Sequence, residues 1–574
     1  MCGIFCLIKS KKTNREEDLG DTLDDVLARR GPDHSGSYKH QNENFAVLFQ
    51  ASVLHMQGEV MQTQPVVSKR GNVLIWNGEV FGGLQVPENK SDTAVLLEAL
   101  ENTSTSTEIC SILGSIQGPW GFVYFDKTTN TLWFGRDYFG RRSLLLSSQS
   151  EEIVLSSICN KARKHWIDLP ACGIFSLNLN EPFPNPHKLT CFPWVRKTDG
   201  HFKDCHIEGY DVNVKETLQS CNTVPKQKIS HELPLLAVVN TKNQDPLITL
   251  KDYCTNVGLW EYCQELLGTL KTAIHKRVQT CKQNQRCNLG ILFSGGIDCT
   301  VLAALSHSCL PPEEKIDLIN VAFEQQKKAS RDSKKGSNSV TGPDYMVPDR
   351  VTGLASLDEL QKLFPSRKWN FIEVNVSVQE LIAERKSRIR DLTYPKDTVL
   401  DDSIACAIWF AARAKGKVCN IDYTSNSRIL LCGMGADEQL GGYSRHRGIF
   451  ENTNNWDLVN EEMNMEIERI SSRNLGRDDR IISDHGKEAR FPYLDENVVE
   501  FLLKLPVHIK SDFRLPRGIG EKILLRGSAY LLGLRGACVL PKRAIQFGSR
   551  IAKAESRKEK GSDSCLRLKQ VDTN

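Results

Sequence analysis

The sequence predicts an α/β chain in two unlike parts: a sandwich of sheets with helices outside, then a doubly wound parallel sheet. Alternating runs such as Trp120–Asp126 and residues 131–134 read as strands half-buried against a partner sheet. Further on, the apolar runs 289–293, Ile316–Phe323, Trp369–Val376 and 428–432 alternate with helical patterns, the signature of a parallel sheet with ligands at the carboxyl ends of its strands. At 574 residues the chain is too long for one core, and three domains or fewer are expected.

Composition excludes several classes. A hydrophobic content of 40% and a charged content of 25% are those of an ordinary globular protein. A net charge of +4 gives no argument for nucleic acid or membrane as a partner. There is no apolar run of transmembrane length and no basic start followed by an apolar core. The 19 cysteines include no Cys-x-x-Cys pair and no Cys/His cluster at zinc-ligand spacing. They read as reduced thiols of a cytoplasmic protein.

Taken in order, the chain opens on Met1-Cys2-Gly3-Ile4. Removal of Met1 would leave Cys2 with an α-amine of pKa roughly 7.7–8.0, able to act as base for its own thiol. Arg29-Arg30-Gly31-Pro32-Asp33-His34-Ser35-Gly36 follows, then Asn77-Gly78-Glu79 after an apolar strand, and Ser91-Asp92-Thr93 before a helix. Gly118-Pro119-Trp120-Gly121-Phe122 and residues 134–141 come next. This series resembles the signature of class II glutamine amidotransferases, which implies an N-terminal-nucleophile αββα sandwich over residues 2–180. The resemblance implies Cys2 as nucleophile, with an oxyanion hole from the Asn77 side chain and the Gly78 N–H. Asn77, Gly78, Glu79 and Asp92 would contact the glutamine, with Asp92 holding its α-amino group. Where that family has an arginine for the α-carboxylate, counting back from Gln64-Pro65 gives Val53, a departure that weakens glutamine binding.

Residues 181–285 read as a linker with irregular inserts, with prolines 182, 184 and 186 clustered at its start. His201 and Cys205 are two possible metal ligands without partners. Helical spacing of Leu266, Leu267, Leu270, Ile274 and Val278 predicts a helix over 260–280.

Residues 286–552 carry the second set of motifs. Phe293-Ser294-Gly295-Gly296-Ile297-Asp298-Cys299-Thr300 reads as strand, tight loop and helix, with the helix over 300–307. The glycines let backbone N–H groups approach a phosphate, and the helix N-terminus favours the anion. No lysine follows them as in a Walker loop. The stretch resembles the Ser-Gly-Gly-x-Asp-Ser loop of ATP pyrophosphatases, with Cys299 in place of serine. Gly433-Met434-Gly435-Ala436-Asp437-Glu438, followed by Gly441-Gly442-Tyr443, resembles a second such loop in asparagine synthetases. The segment from Asp484 to Asp495 matches a third motif of that family closely. Glu521-Lys522-Ile523-Leu524-Leu525-Arg526 resembles a fourth; its charges read as simple surface pairs.

Together the motifs resemble the glutamine-hydrolysing asparagine synthetase family, in a divergent branch. The resemblance implies that ATP and Mg²⁺ serve to convert aspartate into asparagine with glutamine nitrogen, through a β-aspartyl-adenylate. It implies ATP contacts at Phe293, Ser294, Gly295, Gly296, Asp298, Cys299, Val321, Cys432 and Gly433, and Mg²⁺ ligands Asp298 and Asp437. Glutamine, aspartate and ATP are the expected partners, with no nucleic acid or membrane. Two further departures bear on this part. Met434 replaces an acid, and a thioether can neither take a proton nor hold an ammonium. Ala544 replaces a lysine that would stabilise transition-state charge, with Lys542 and Arg543 beside it. A weak or inactive scaffold, and an amidotransferase for another carboxylate, are the alternative readings. Residues 553–574 are charged and low in aromatics, and disorder is expected there.

Overall fold

The computed structural model describes residues 2–10, 25–149, 151–159, 165–181, 187–195, 205–215, 218, 245–279, 289–325 and 344–554. The basic stretch 327–341, residue His201, much of 181–285 and nearly all of the tail lie outside the described residues.

Two sheets face each other in the first part. One has six strands in the order Ile167–Asp168, Leu145–Gln149, Glu152–Ser156, Gly3–Ser10, Phe45–Val53, His34–Gln41, all antiparallel. The other has seven, running from Tyr210–Val214 through His187–Pro193, Gly173–Asn178, Thr131–Arg136, Trp120–Asp126 and Val73–Gly78 to Val66–Val67. Alternation decides what packs where. Ile4, Cys6 and Ile8 turn into the space between the sheets with Val73, Ile75, Val123 and Phe125. The intervening Leu74 and Trp76 turn outward against Leu96, Leu97 and Leu113 of the helices Asp92–Glu101 and Ser106–Ser115.

The second part is a seven-stranded sheet. Trp369–Val376, Ile316–Phe323, Leu289–Leu292, Ile429–Leu431 and Glu488–Arg490 run parallel, and a hairpin of Lys415–Val418 and Ile421–Thr424 closes one edge. Helices cover both faces, as the buried apolar runs require.

Several expectations are corrected. The stretch 181–285 is not simply a linker. His187–Pro193 and Tyr210–Val214 extend the second sheet of the sandwich, pairing parallel with each other. The strand signal was present, since His187, Leu189, Cys191 and Pro193 are buried in alternation, but flanking prolines masked it. A helix at Pro246–Asn256, capped by Asp245 with Pro at its first position, precedes the expected one at Trp260–Gln279. Both pack into the core of the second part through Leu250, Leu266, Leu270 and Ile274. The helix after the glycine loop spans Ile297–His307, so Asp298 and Cys299 lie in its first turn rather than in the loop. The strand read over 428–432 spans Ile429–Leu431.

Buried and part-buried ion pairs join the two parts. Arg141 bonds Asp137 Oδ1 at 2.9 Å and Glu496 Oε1 at 2.6 Å, and donates to the Leu494 carbonyl at 2.9 Å. Arg30 meets Asp479 at 2.7 Å, and Arg428 forks onto Asp33 at 2.7 and 2.9 Å. Replacing Arg141 by methionine leaves two buried carboxylates without their cation. Stability is expected to fall by about 3–5 kcal/mol in denaturant titration. A loss under about 1 kcal/mol would show that this bridge does not hold the parts together.

Candidate active sites

The first site lies at the end of the N-terminal strand. The Cys2 nitrogen donates to Asn77 Oδ1 at 3.0 Å, and Gln64 Nε2 lies 3.6 Å from Cys2 Sγ. With Met1 attached this nitrogen is a peptide N–H; once Met1 is removed it stands where the α-amine would be. Gln64 is fixed by the Trp76 backbone, accepting its N–H at 2.7 Å and donating to its carbonyl at 3.0 Å. Burial pushes the Cys2 thiol above its ordinary value, with Asp92 and Glu79 adding to the effect. The thiol therefore keeps its proton near neutrality and needs a base to become a nucleophile.

Asn77 is fully buried, and its Nδ2 has no hydrogen-bond partner among the described residues. Leaving a buried donor unmet costs about 1–3 kcal/mol. A donor held in that condition, on a side chain that also meets the Cys2 nitrogen, is what a developing oxyanion requires. Gly78 admits no side chain, since a Cβ there would lie 2.5 Å from the Trp76 ring. Asp92 accepts from Trp76 Nε1 at 3.1 Å and from the Thr93 N–H at 2.7 Å. Glu79 accepts from Gln57 at 2.6 Å and lies 3.6 Å from Arg490 of the second part. Burial raises both acids, Glu79 strongly and Asp92 to about 6. Val53, where the arginine was counted, is buried at the end of its strand and pairs with His34. The guanidinium that does reach this loop comes from the second part: Arg428 contacts Asp33 and the His55 carbonyl.

The Asp92 value carries a pH prediction. A carboxyl raised on folding favours the folded state below the unfolded pKa of about 3.9, and that contribution disappears as pH rises through about 6. Asp92→Asn is therefore expected to stabilise the protein on the order of 2 kcal/mol at pH 8 and to change little at pH 4. Denaturant midpoints at the two pH values check this; a variant less stable at pH 8 than the parent would contradict it.

The second site sits at the carboxyl ends of the parallel strands. Gly295 has φ +76°, and a Cβ there would lie 2.4 Å from the Thr352 and Gly353 backbone, so only glycine fits the turn. Gly296 caps the helix Ile297–His307 without a side-chain bond, leaving the helix end to backbone groups. Ser294 Oγ accepts from the Gly296 N–H at 3.3 Å. Cys299 is buried and its Sγ turns back to the Gly296 carbonyl at 3.2 Å, with burial pushing the thiol up to about 11. Phe293, Val321 and Cys432 are buried, the Phe293 ring against Phe371. Gly433 faces Asp298, whose Cβ would lie 3.2 Å from any Cβ placed there.

Asp298 and Asp437 converge on one cation, and that cation is Lys522. Its Nζ lies 2.7 Å from a carboxylate oxygen of each. Lys522 is 1% exposed, so the expectation of a surface pair at this position is corrected. Burial works to raise Asp437, but the Lys522 and Lys542 ammonium groups outweigh it and hold the carboxyl low. Asp298 is raised, burial and Asp437 together outweighing Lys522. Lys542 lies 3.1 Å from Asp437, two residues before Ala544, and Arg543 lies 4.0 Å from Asp349. Met434 packs against the apolar core, as a thioether should. The sequence signal for Lys522 was the matched motif, but its partner is 224 positions away in the chain.

One segment touches both sites. Arg490 lies 3.6 Å from Glu79, and three residues later the Tyr493 hydroxyl donates to the Asp298 carbonyl at 3.0 Å. Leu494 then packs under Gly435, whose φ is +96°.

Comparison with known proteins agrees with this two-part plan. Residues 1–167 match the glutamine amidotransferase domain, and residues 449–532 match asparagine synthase. The chain is thus a glutamine amidotransferase domain joined to an asparagine synthase domain. It is 41% identical to asparagine synthetase domain-containing protein 1 of Bos taurus, covering 100% of this chain and 99% of that one. It is 27% identical to asparagine synthetase domain-containing protein YML096W of Saccharomyces cerevisiae, covering 94% and 90%. Against the glutamine-hydrolyzing asparagine synthetase of Gallus gallus, identity is 22% over 92% of this chain and 80% of that one. The chain belongs to the asparagine synthetase domain-containing protein family. No helix among the described residues is long and apolar enough to cross a membrane.

Proposed function

We propose that the chain releases ammonia from glutamine at Cys2 and uses it to convert aspartate to asparagine at the second site, with ATP activating the aspartate side chain as an acyl-adenylate. The observation that carries the first half is the buried Asn77 Nδ2, without a hydrogen-bond partner among the described residues, on the side chain whose Oδ1 accepts from the Cys2 nitrogen. The α-amine of Cys2 takes the thiol proton and the sulfur attacks the amide carbon; the C–N bond then breaks as that proton passes to the leaving ammonia, and water hydrolyses the thioester to glutamate and the free thiol. Asn77 Nδ2 and the Gly78 N–H stabilise the oxyanion, and Asp92 and Glu79 hold the substrate α-ammonium. The 490–493 segment supports coupling, because its two ends lie against the two sites.

At the second site Ser294, Gly295 and Gly296 offer backbone to the ATP phosphates at a helix N-terminus. The donor set fits Mg²⁺: Asp298 and Asp437 are oxygen ligands aimed at one point already filled by a cation. Bound there, Mg²⁺ would neutralise charge on the leaving pyrophosphate. Lys522 would then turn from the carboxylates to the phosphates, and Lys542 would supply the charge missing at Ala544.

A second reading, a scaffold without synthetase activity, is favoured by the same lysine: its ammonium already lies 2.7 Å from an oxygen of each carboxylate, where a metal would sit. Amide-labelled glutamine, aspartate, ATP and Mg²⁺ decide between them. Labelled asparagine and pyrophosphate, both lost in Asp298→Ala, are expected, with only the glutamine-derived label lost in Cys2→Ala. Neither product from folded protein with a processed Cys2 terminus would leave the scaffold; pyrophosphate with another acid and not with aspartate would identify a different acceptor.

A further inference from the structure

Outside both sites, three thiols meet in the core of the sandwich. Cys172, Cys191 and Cys205 place their sulfurs within 4.8 Å of one another, and Cys191 and Cys205 are 3.7 Å apart. They are 2%, 0% and 3% exposed. Among the described residues this is the one group of three or more metal-ligating side chains whose donor atoms come so close. The three come from separate segments. Cys172 stands just before the strand Gly173–Asn178, Cys191 lies on the strand His187–Pro193, and Cys205 precedes the edge strand Tyr210–Val214. Gly173 allows the approach, since a Cβ there would lie 2.3 Å from the Phe192 carbonyl oxygen.

We propose that Cys172, Cys191 and Cys205 form a three-thiolate site for a soft d¹⁰ cation, best matched by Cu(I), that ties the outer strands of the sandwich together. The spacing is that of a ready-made site. Three sulfurs around one ion at about 2.3 Å stand roughly 4 Å apart; here one pair is 3.7 Å apart and all three lie within 4.8 Å of one another, so a small adjustment closes the site. The donor set selects the ion. All three ligands are sulfur, which favours Cu(I) or Zn²⁺ over hard cations. Zn²⁺ at a structural site takes four ligands, and here no fourth His, Cys, Asp or Glu joins the group among the described residues. Burial also keeps water from completing a tetrahedron. Binding releases the three thiol protons to solvent, and no electron is transferred. The ion enters where the sheet ends: Tyr210–Val214 is the outermost strand, and an edge opens at lower cost than the centre. Loaded, the site cross-links three segments that already meet through two strand pairings and apolar contacts, and metal binding adds directly to folding stability.

The test uses the full chain, reduced and stripped of metal under anaerobic conditions, and titrated with Cu(I) against a chromophoric Cu(I) chelator. One equivalent is expected to leave the chelator, with X-ray absorption showing sulfur ligands only and a coordination number of three. Cys191→Ser and Cys205→Ser are expected to lose that equivalent while their metal-free forms melt with the parent, whereas Cys263→Ser, in the other core, keeps it. Binding that survives both substitutions, as at Cys2 or exposed Cys419, would overturn the proposal. So would no binding by the parent, or nitrogen and oxygen in the coordination shell. If Cys191→Ser fails to fold, Cys205→Ser, outside the regular strands, carries the test alone.

Discussion

Cys2→Ala is expected to abolish glutaminase activity, lowering glutamate release by about 10³-fold or more. Any asparagine synthesis supported by added ammonium salt should survive. The reason is geometric. The substitution removes the only atom that attacks the amide and leaves Asn77, Asp92 and Glu79 in place, so glutamine binding should persist. Asn77→Ala should behave differently. It removes one oxyanion donor and should lower kcat by about 10²–10³ with KM little changed. Glutamate release as a function of glutamine concentration, with and without ammonium, measures all three quantities. Full glutaminase activity in protein carrying Cys2→Ala would remove this cysteine from the chemistry. A rise in KM alone for Asn77→Ala would recast that side chain as a binding group.

Lys522→Met has the second large effect. Without the ammonium, the part-buried Asp298 and Asp437 keep only Lys542, 3.1 Å from Asp437, as a cation, and stability is expected to fall by about 1–3 kcal/mol near neutral pH. The deficit should shrink as the pH falls and the pair takes up a proton. Millimolar Mg²⁺ should raise the melting temperature of the variant more than that of the parent, because the carboxylates are then free to bind it. Pyrophosphate release, if the parent shows it, should fall by about 10²-fold or more, since a fixed positive charge beside the phosphates is gone. Equal Mg²⁺ responses in the two proteins would argue against a metal between Asp298 and Asp437 and would strengthen the scaffold reading.

Much of both sites was legible because their chemistry is written locally. A turn that admits only glycine, as at Gly295, shows itself in the residue that occupies it. The Asn77-Gly78 pair and the strand before it are adjacent in the chain. A continuous apolar run at 73–76 and period-two alternation at Trp120–Asp126 likewise placed these strands without any knowledge of their partners. Reading was hardest where turn-forming residues interrupt that pattern. The strand His187–Pro193 follows a proline cluster and ends on a proline, and its alternation is hard to separate from an irregular insert.

By itself, then, the sequence determined the two-part α/β plan, the order of the motifs, and the residue types at each site, because spacing and side-chain chemistry are properties of short segments. Tertiary structure decided which distant groups share a point in space. It placed Lys522 between Asp298 and Asp437, brought Arg428 to Asp33, set Arg490 and Tyr493 against the two sites, and gathered Cys172, Cys191 and Cys205 into one cluster. The charge, softness or hydrogen-bonding capacity of each of these groups can be read from its name. Its partner cannot, because proximity across tens or hundreds of residues is set by how the sheets pack, and no local pattern records it.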